Sequence, residues 1–96
     1  MRNYEGVLIL NPDLPVDQSK AAVAQVQEMV TKNGGRVDGL QEWGKRRLAY
    51  KIAKKQEGNY LVMNFQMDTK QTKKFEVGVR LNDNVMRYLL VNKDLL

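Results

Sequence analysis

A chain of 96 residues, 43% apolar and 28% charged, is long enough for one domain with a single buried core. It contains no Cys and no His, which excludes disulfides, thiol nucleophiles, thiolate or imidazole metal sites and a His general base. Its net charge of +5 points to a polyanionic partner. The polar opening Met1-Arg2-Asn3-Tyr4-Glu5 is no signal peptide and no apolar run reaches membrane-spanning length, so a cytoplasmic location is expected, with no membrane partner.

Residues 2–11 alternate as a strand. Tyr4, Gly6, Leu8 and Leu10 lie on one face and Val7 and Ile9 on the other; apolar groups on both faces mark a central strand. Asn11-Pro12-Asp13 breaks it. A helix is expected from Pro15 or Val16 to Asn33. Ala22, Val26, Met29 and Val30 recur at i, i+4, i+7 and i+8, and Val23 widens the stripe. Gly34 supplies a left-handed cap and Gly35 helps turn the chain. Residues 36–51 read as a long strand interrupted at Gly39 and Gly44, where a bulge or bend is expected.

The stretch from Lys54 to Glu57 reads as a turn, with Gly58 opening a strand over 59–67. There Leu61, Met63, Phe65 and Met67 point one way, and Tyr60, Val62, Asn64 and Gln66 the other. Asp68 is the expected N-cap of a second helix. Thr72, Phe75 and Val79 form its buried stripe, and Gly78 weakens it by about 1 kcal/mol relative to Ala. A last strand covers 84–92, with Val85, Leu89 and Val91 on one face and Met86, Tyr88 and Leu90 on the other.

The order is β-α-β-β-α-β within one domain, 1–96. Each helix has a single apolar stripe, so both cover one face of one sheet. Right-handed crossovers then give an α+β, ferredoxin-like split βαβ sandwich with a four-stranded antiparallel sheet. Leu8, Leu10, Leu61, Met63, Phe65, Tyr88 and Leu90 should face the helices. The uncovered face would present Val7, Ile9, Tyr60, Val62, Leu89 and Val91, with Arg87 among them. That apolar surface fits a protein partner, although scattered exposed aliphatic residues are ordinary.

The charge is not spread evenly. Residues 45–55 hold six Lys and Arg and no acid, while the other ten Lys and Arg face eleven Asp and Glu. Leu48, Tyr50 and Ile52 punctuate this segment at period two. It reads as a folded basic ribbon with nucleic acid as its first partner; lysines that merely protect an edge strand are the plainer explanation. Trp43 is expected to cap the core end of the hairpin, because Trp is mostly buried, rather than to anchor a partner. Tyr50 and Tyr60 are expected to pack as a cross-strand pair.

The run Gly44-Lys45-Arg46-Arg47-Leu48-Ala49-Tyr50-Lys51-Ile52 closely resembles the signature of the family of the sixth protein of the bacterial small ribosomal subunit. The opening Met1–Glu5, Gly35-x-Val37, Gly58-x-Tyr60 and Arg80-Leu81-Asn82-Asp83-Asn84-Val85-Met86-Arg87 are similar to further family segments, so the resemblance spans essentially the whole chain. It implies a structural protein that binds the central domain of small-subunit ribosomal RNA together with the eighteenth small-subunit protein, with no cofactor and no small-molecule substrate. Arg2, Arg46, Arg47, Arg80 and Arg87 match family positions and are implied as RNA contacts. Lys45, Lys51, Lys54 and Lys55 are added from charge alone. Many members carry a C-terminal tail, often charged; with Lys93-Asp94-Leu95-Leu96 at the end of this sequence, a contact made through such a tail is not expected.

Three other readings compete. The single-strand RNA module of the same fold needs a Gly-aromatic-Gly-aromatic pattern on its third strand. Here Asn59, Leu61 and Asn64 replace it, and Tyr60 and Phe65 face opposite ways. A small phosphatase would use an Arg and an Asn, such as Arg80 and Asn82, beside an anion-binding loop. The first loop is instead Pro12-Asp13-Leu14-Pro15, with few donors. A ferredoxin-like metabolite-binding or regulatory dimer, joined through the open sheet face, is the third alternative.

Overall fold

The computed structural model describes residues 1–52 and 54–95; Ala53 and the chain's end at Leu96 lie outside the described residues. The elements follow as β1 (Arg2–Leu10), α1 (Val16–Lys32), β2 (Arg36–Ile52), β3 (Lys55–Met67), α2 (Thr69–Arg80) and β4 (Val85–Asn92), with a short 3-10 turn over Lys93–Leu95. The sheet is antiparallel in the order β2-β3-β1-β4. Each helix therefore crosses over one intervening strand, which is the split βαβ expected from the element order.

The helices form where the apolar spacing places them. In α1, Ala22, Val26 and Val30 are buried; the helix ends at Asn33, and Gly34 takes φ +77 beyond it. In α2, the Asp68 carboxylate accepts a hydrogen bond from the Lys70 backbone N–H, while Phe75 and Val79 are buried. These stripes meet Tyr4, Leu8, Leu61, Met63, Phe65 and Met67 of the sheet. Aromatic rings run through this core. Tyr4 stacks on Phe65 at 5.7 Å, Phe65 tilts against Phe75 at 5.3 Å, and Phe75 meets Tyr88 edge-on at 6.0 Å. The Tyr88 hydroxyl is buried and has no hydrogen-bond partner among the described residues.

Three expectations need correction. First, β3 starts at Lys55, so Lys55, Gln56 and Glu57 are strand rather than turn. Arg47 lies opposite Glu57, and Ile52 opposite Lys55. This polar ribbon runs past the helices, so it carries no buried face whose period would reveal a strand. Second, β2 slips register between Val37 and Gly39 and between Glu42 and Gly44, at the two expected glycines, but also between Arg47 and Ile52. Gly44 has φ +78. The third slip leaves residues 48–51 opposite Gln56 alone, so Leu48, Tyr50 and Ile52 are not a plain alternating strand. Third, Val85 does not share a face with Leu89. The register slips between Ile9 and Leu10, whose partners are Arg87 and Val85; Met86 is left between them, and Val85 packs against the core.

Candidate nucleic-acid interface

Strand direction decides which cations meet. β1 runs from Arg2, opposite Met67, to Leu10, opposite Asn59. The β2–β3 hairpin tip, the loop after β1 and the loop before β4 therefore share one end of the sheet; the backbone N–H of Asn11 bonds to the Asn84 carbonyl at 3.0 Å there. Lys45, Arg46, Arg47, Lys51, Lys54 and Lys55 lie on the hairpin, with Arg80 and Arg87 on neighbouring elements. Arg2 does not join them. It sits at the other end of β1, about 27 Å away at the rise of an extended strand.

These cations are not equivalent. Lys55 pairs with Asp13 of the loop after β1, and this ammonium holds the Asp13 carboxyl below its usual range, first by its hydrogen bond and then by its charge. Arg80 bonds Glu76 one helical turn back at 2.6 Å. Among the described residues Lys45, Arg46, Arg47, Lys51 and Lys54 make no ion pair. Two guanidinium groups lie over aromatic rings, Arg46 over Trp43 and Arg87 over Tyr50, each 5.5 Å from the ring centroid. Arg87 also donates a hydrogen bond to the Tyr50 hydroxyl.

Both aromatic expectations fail for reasons of register. Tyr60 lies opposite Gly44, not Tyr50. The third slip of β2 sends Tyr50 over the open face instead, where it is 61% exposed. Trp43 does not cap the core. It is 49% exposed, on the β2 slip before Gly44, and its indole N–H points to Gln41 Oε1 at 3.4 Å.

The open face is half covered by the chain itself. Val7 lies opposite Val62 and Leu89, Ile9 opposite Tyr60 and Arg87, and Glu5 opposite Val91. The hairpin curls over one corner, where Leu48, Ala49, Tyr50 and Ile52 close a small cavity on Ile9, Tyr60 and Arg87. Ile9 is thus 8% exposed and Val62 3%, leaving little of either for a partner, whereas Leu89 is 60% exposed. Val7, Tyr60 and Val91 are half-buried. The Lys93 ammonium donates to Asn64 Oδ1 at 3.2 Å. Lys93 lies in the 3-10 turn just after β4, where strand alternation no longer assigns a face.

A four-stranded sheet backed by two helices, with a cationic hairpin at one end, defines a ferredoxin-like domain with a basic surface. The family model for ribosomal protein S6 matches residues 3–92. The small ribosomal subunit protein bS6 of Thermoanaerobacter pseudethanolicus is 42% identical over 94 residues, covering 98% of this chain and 99% of its own. That of Clostridium novyi is likewise 42% identical over 94 residues with the same coverage. The crystal structure of 30S ribosomal protein S6 from Thermotoga maritima superposes with a TM-score of 0.91 at 28% identity, covering 98% of this chain and 90% of that one. The chain belongs to the ribosomal protein S6 family, so it is a structural protein of the small ribosomal subunit and not an enzyme. The C-terminal domain of the MgtC protein from Mycobacterium tuberculosis also superposes, with a TM-score of 0.67 at 12% identity, a likeness of fold alone. Among the described residues no helix is long and apolar enough to cross a membrane.

Proposed function

We propose that this chain binds the central domain of small-subunit ribosomal RNA jointly with the eighteenth small-subunit protein, in a cytoplasmic ribosome. One observation carries the RNA part: five cations on the hairpin, Lys45, Arg46, Arg47, Lys51 and Lys54, have no acidic partner among the described residues. Cations on a folded ribbon hold phosphates in fixed positions and gain affinity from counterion release. Such contacts orient a protein without reading sequence, so recognition rests on the shape of an RNA junction and its backbone. Arg87 extends this surface towards the open face, Arg80 flanks it, and Lys55 contributes less while Asp13 holds it. Arg2 serves a separate contact at the far end of the sheet.

The partner takes the open face around Leu89, with Val7, Tyr60 and Val91 beside it. Ile9 and Val62 share that face but are nearly buried and offer it little surface. Covering the face around Leu89 leaves the exposed Lys45, Arg46 and Arg47 of the hairpin accessible, so pair and RNA are compatible. Sedimentation of a native lysate tests the reading. The chain is expected to co-migrate with small-subunit particles and to crosslink through the hairpin lysines to central-domain RNA. Recovery as a self-associated species apart from ribosomal particles would instead favour the regulatory dimer.

A further inference from the structure

Trp43 borders a cleft of about 400 Å³ on the helix side of the hairpin end. Leu10, Leu14 and Val23 supply apolar lining, while Lys20, Lys45 and Asn59 bring polar groups to it. The volume lies within the range of small-molecule sites. Trp43 is half exposed, and the Arg46 guanidinium lies over its ring. A large aromatic ring left in water beside unpaired cations is poorly explained by folding alone, since burying Trp is favourable.

We infer that this cleft takes one unpaired nucleobase of the RNA, stacked on Trp43 in place of the Arg46 guanidinium, which moves with Lys45 onto the adjacent phosphates. Every base has a π-face, so the contact needs no particular sequence. Charge selects the occupant: Lys20 and Lys45 line the cleft against one acid, Glu42, and Arg46 lies over the Trp43 ring at its rim, which suits a polyanion better than an apolar peptide. The inference rests on the RNA-binding reading above and adds to it a requirement for an unpaired base.

Trp43 is the chain's single tryptophan, so its fluorescence reports the cleft directly in the unmodified protein. The probes are a central-domain fragment of small-subunit ribosomal RNA containing the junction, and a fully paired RNA duplex of equal length. The junction fragment is expected to quench Trp43 at saturation and shield it from acrylamide, while the duplex binds by charge without quenching. Trp43→Leu should weaken junction binding on the order of tenfold, as loss of one stacked base does, and leave the salt slope unchanged because no phosphate contact is lost. Circular dichroism checks that this variant folds, and the wild-type fluorescence stands independently of it. Equal quenching by junction and duplex would overturn the stacking, as would tight, salt-dependent junction binding with unmoved fluorescence; the RNA reading would survive both. Quenching by the eighteenth protein alone, without RNA, would assign the cleft to a peptide and overturn the inference. No RNA binding by the wild-type chain, with or without the eighteenth protein, would remove both readings.

Discussion

Gly58 lies directly against Ile9: a Cβ at position 58 would fall closer than 3.0 Å to the Ile9 Cγ2, with Leu48 Cδ2 next at 3.5 Å. The root of the hairpin, the central strand and the folded-over tip meet at this point. Gly58→Ala should cost about 1–3 kcal/mol, the usual penalty for forcing a methyl group into a packed contact. Ile9 is β-branched and buried, so it has little room to give. Urea unfolding measures the cost. A loss below about 0.5 kcal/mol would mean that the hairpin shifts aside at no expense.

Replacing Arg46 and Arg47 together by Ala should reduce the slope of log affinity for RNA against log salt by roughly 1.5 to 2, reflecting two lost phosphate contacts. Both side chains are exposed, so stability should change by less than about 0.5 kcal/mol. An unchanged slope would place the RNA surface elsewhere on the molecule.

Asp13→Asn makes the opposite test. Asp13 engages Lys55 in an ion pair at the edge of the cationic ribbon. Removing its charge releases Lys55 for a phosphate, so the salt slope should steepen by up to about 0.9 and RNA affinity at low salt should rise. Weaker binding in this variant would show that the pair holds the hairpin in its binding shape. The depressed Asp13 pKa sets a pH sense. The pair is present above the ordinary carboxylate range and is lost as pH falls through the lowered value.

Much of this architecture is legible in the residues. Alternation in β1 and β3 gives their faces, and the 3.6-residue stripes give both helices. Gly39 and Gly44 mark two of the slips in β2, and Gly34 marks the helix end. Two departures lie on the outer hairpin, and the third, at Val85, follows from the slip between Ile9 and Leu10. Lys55, Gln56 and Glu57 pair with β2 beyond the core, and a ribbon wet on both faces leaves no period to read. The slip between Arg47 and Ile52 has no glycine to announce it, and it alone moves Tyr50 from the hairpin to the open face. Trp43 was expected to be buried from its size. Its slip before Gly44 turns it to the rim of a cleft, an outcome of register rather than of hydrophobicity. Composition locates the basic ribbon, but only the fold separates Arg2 from it and ties Lys55 to Asp13.

Tyr88→Phe should leave stability unchanged or raise it by about 0.5–1 kcal/mol. The hydroxyl it removes is buried without a partner among the described residues, and such a group carries an uncompensated desolvation cost. The edge-on contact with Phe75 remains. Burial also pushes the Tyr88 phenol well above its ordinary value of 10.0. The unfolded chain thus releases this proton at lower pH than the folded one, so wild-type stability falls as pH rises above about 10. Phenylalanine has no such proton, and the gap between variant and wild type should widen there in urea titrations. Destabilisation near neutral pH would point to an ordered water on the hydroxyl.

Leu89→Asp tests the partner face and its coupling to RNA. Leu89 is 60% exposed and sits beside Val7 on the open side of the sheet, so a carboxylate there remains hydrated and the fold should survive. Pairing with the eighteenth small-subunit protein should be abolished, because complex formation would bury an unpaired charge. The effect on RNA then follows from thermodynamics. The pair joins two cationic surfaces into one, so the eighteenth protein should raise the apparent RNA affinity of the wild-type chain by more than about tenfold, as a second contact set tethered to the first costs little further association entropy. RNA must tighten the protein pair by the same factor. Leu89→Asp should erase that gain and lower the RNA binding of the isolated chain only slightly, since it leaves the hairpin cations untouched and sets a carboxylate near Arg87 alone. Titrations of RNA with and without the eighteenth protein measure both quantities. Undiminished cooperativity in a folded Leu89→Asp chain would show that the partner binds another surface.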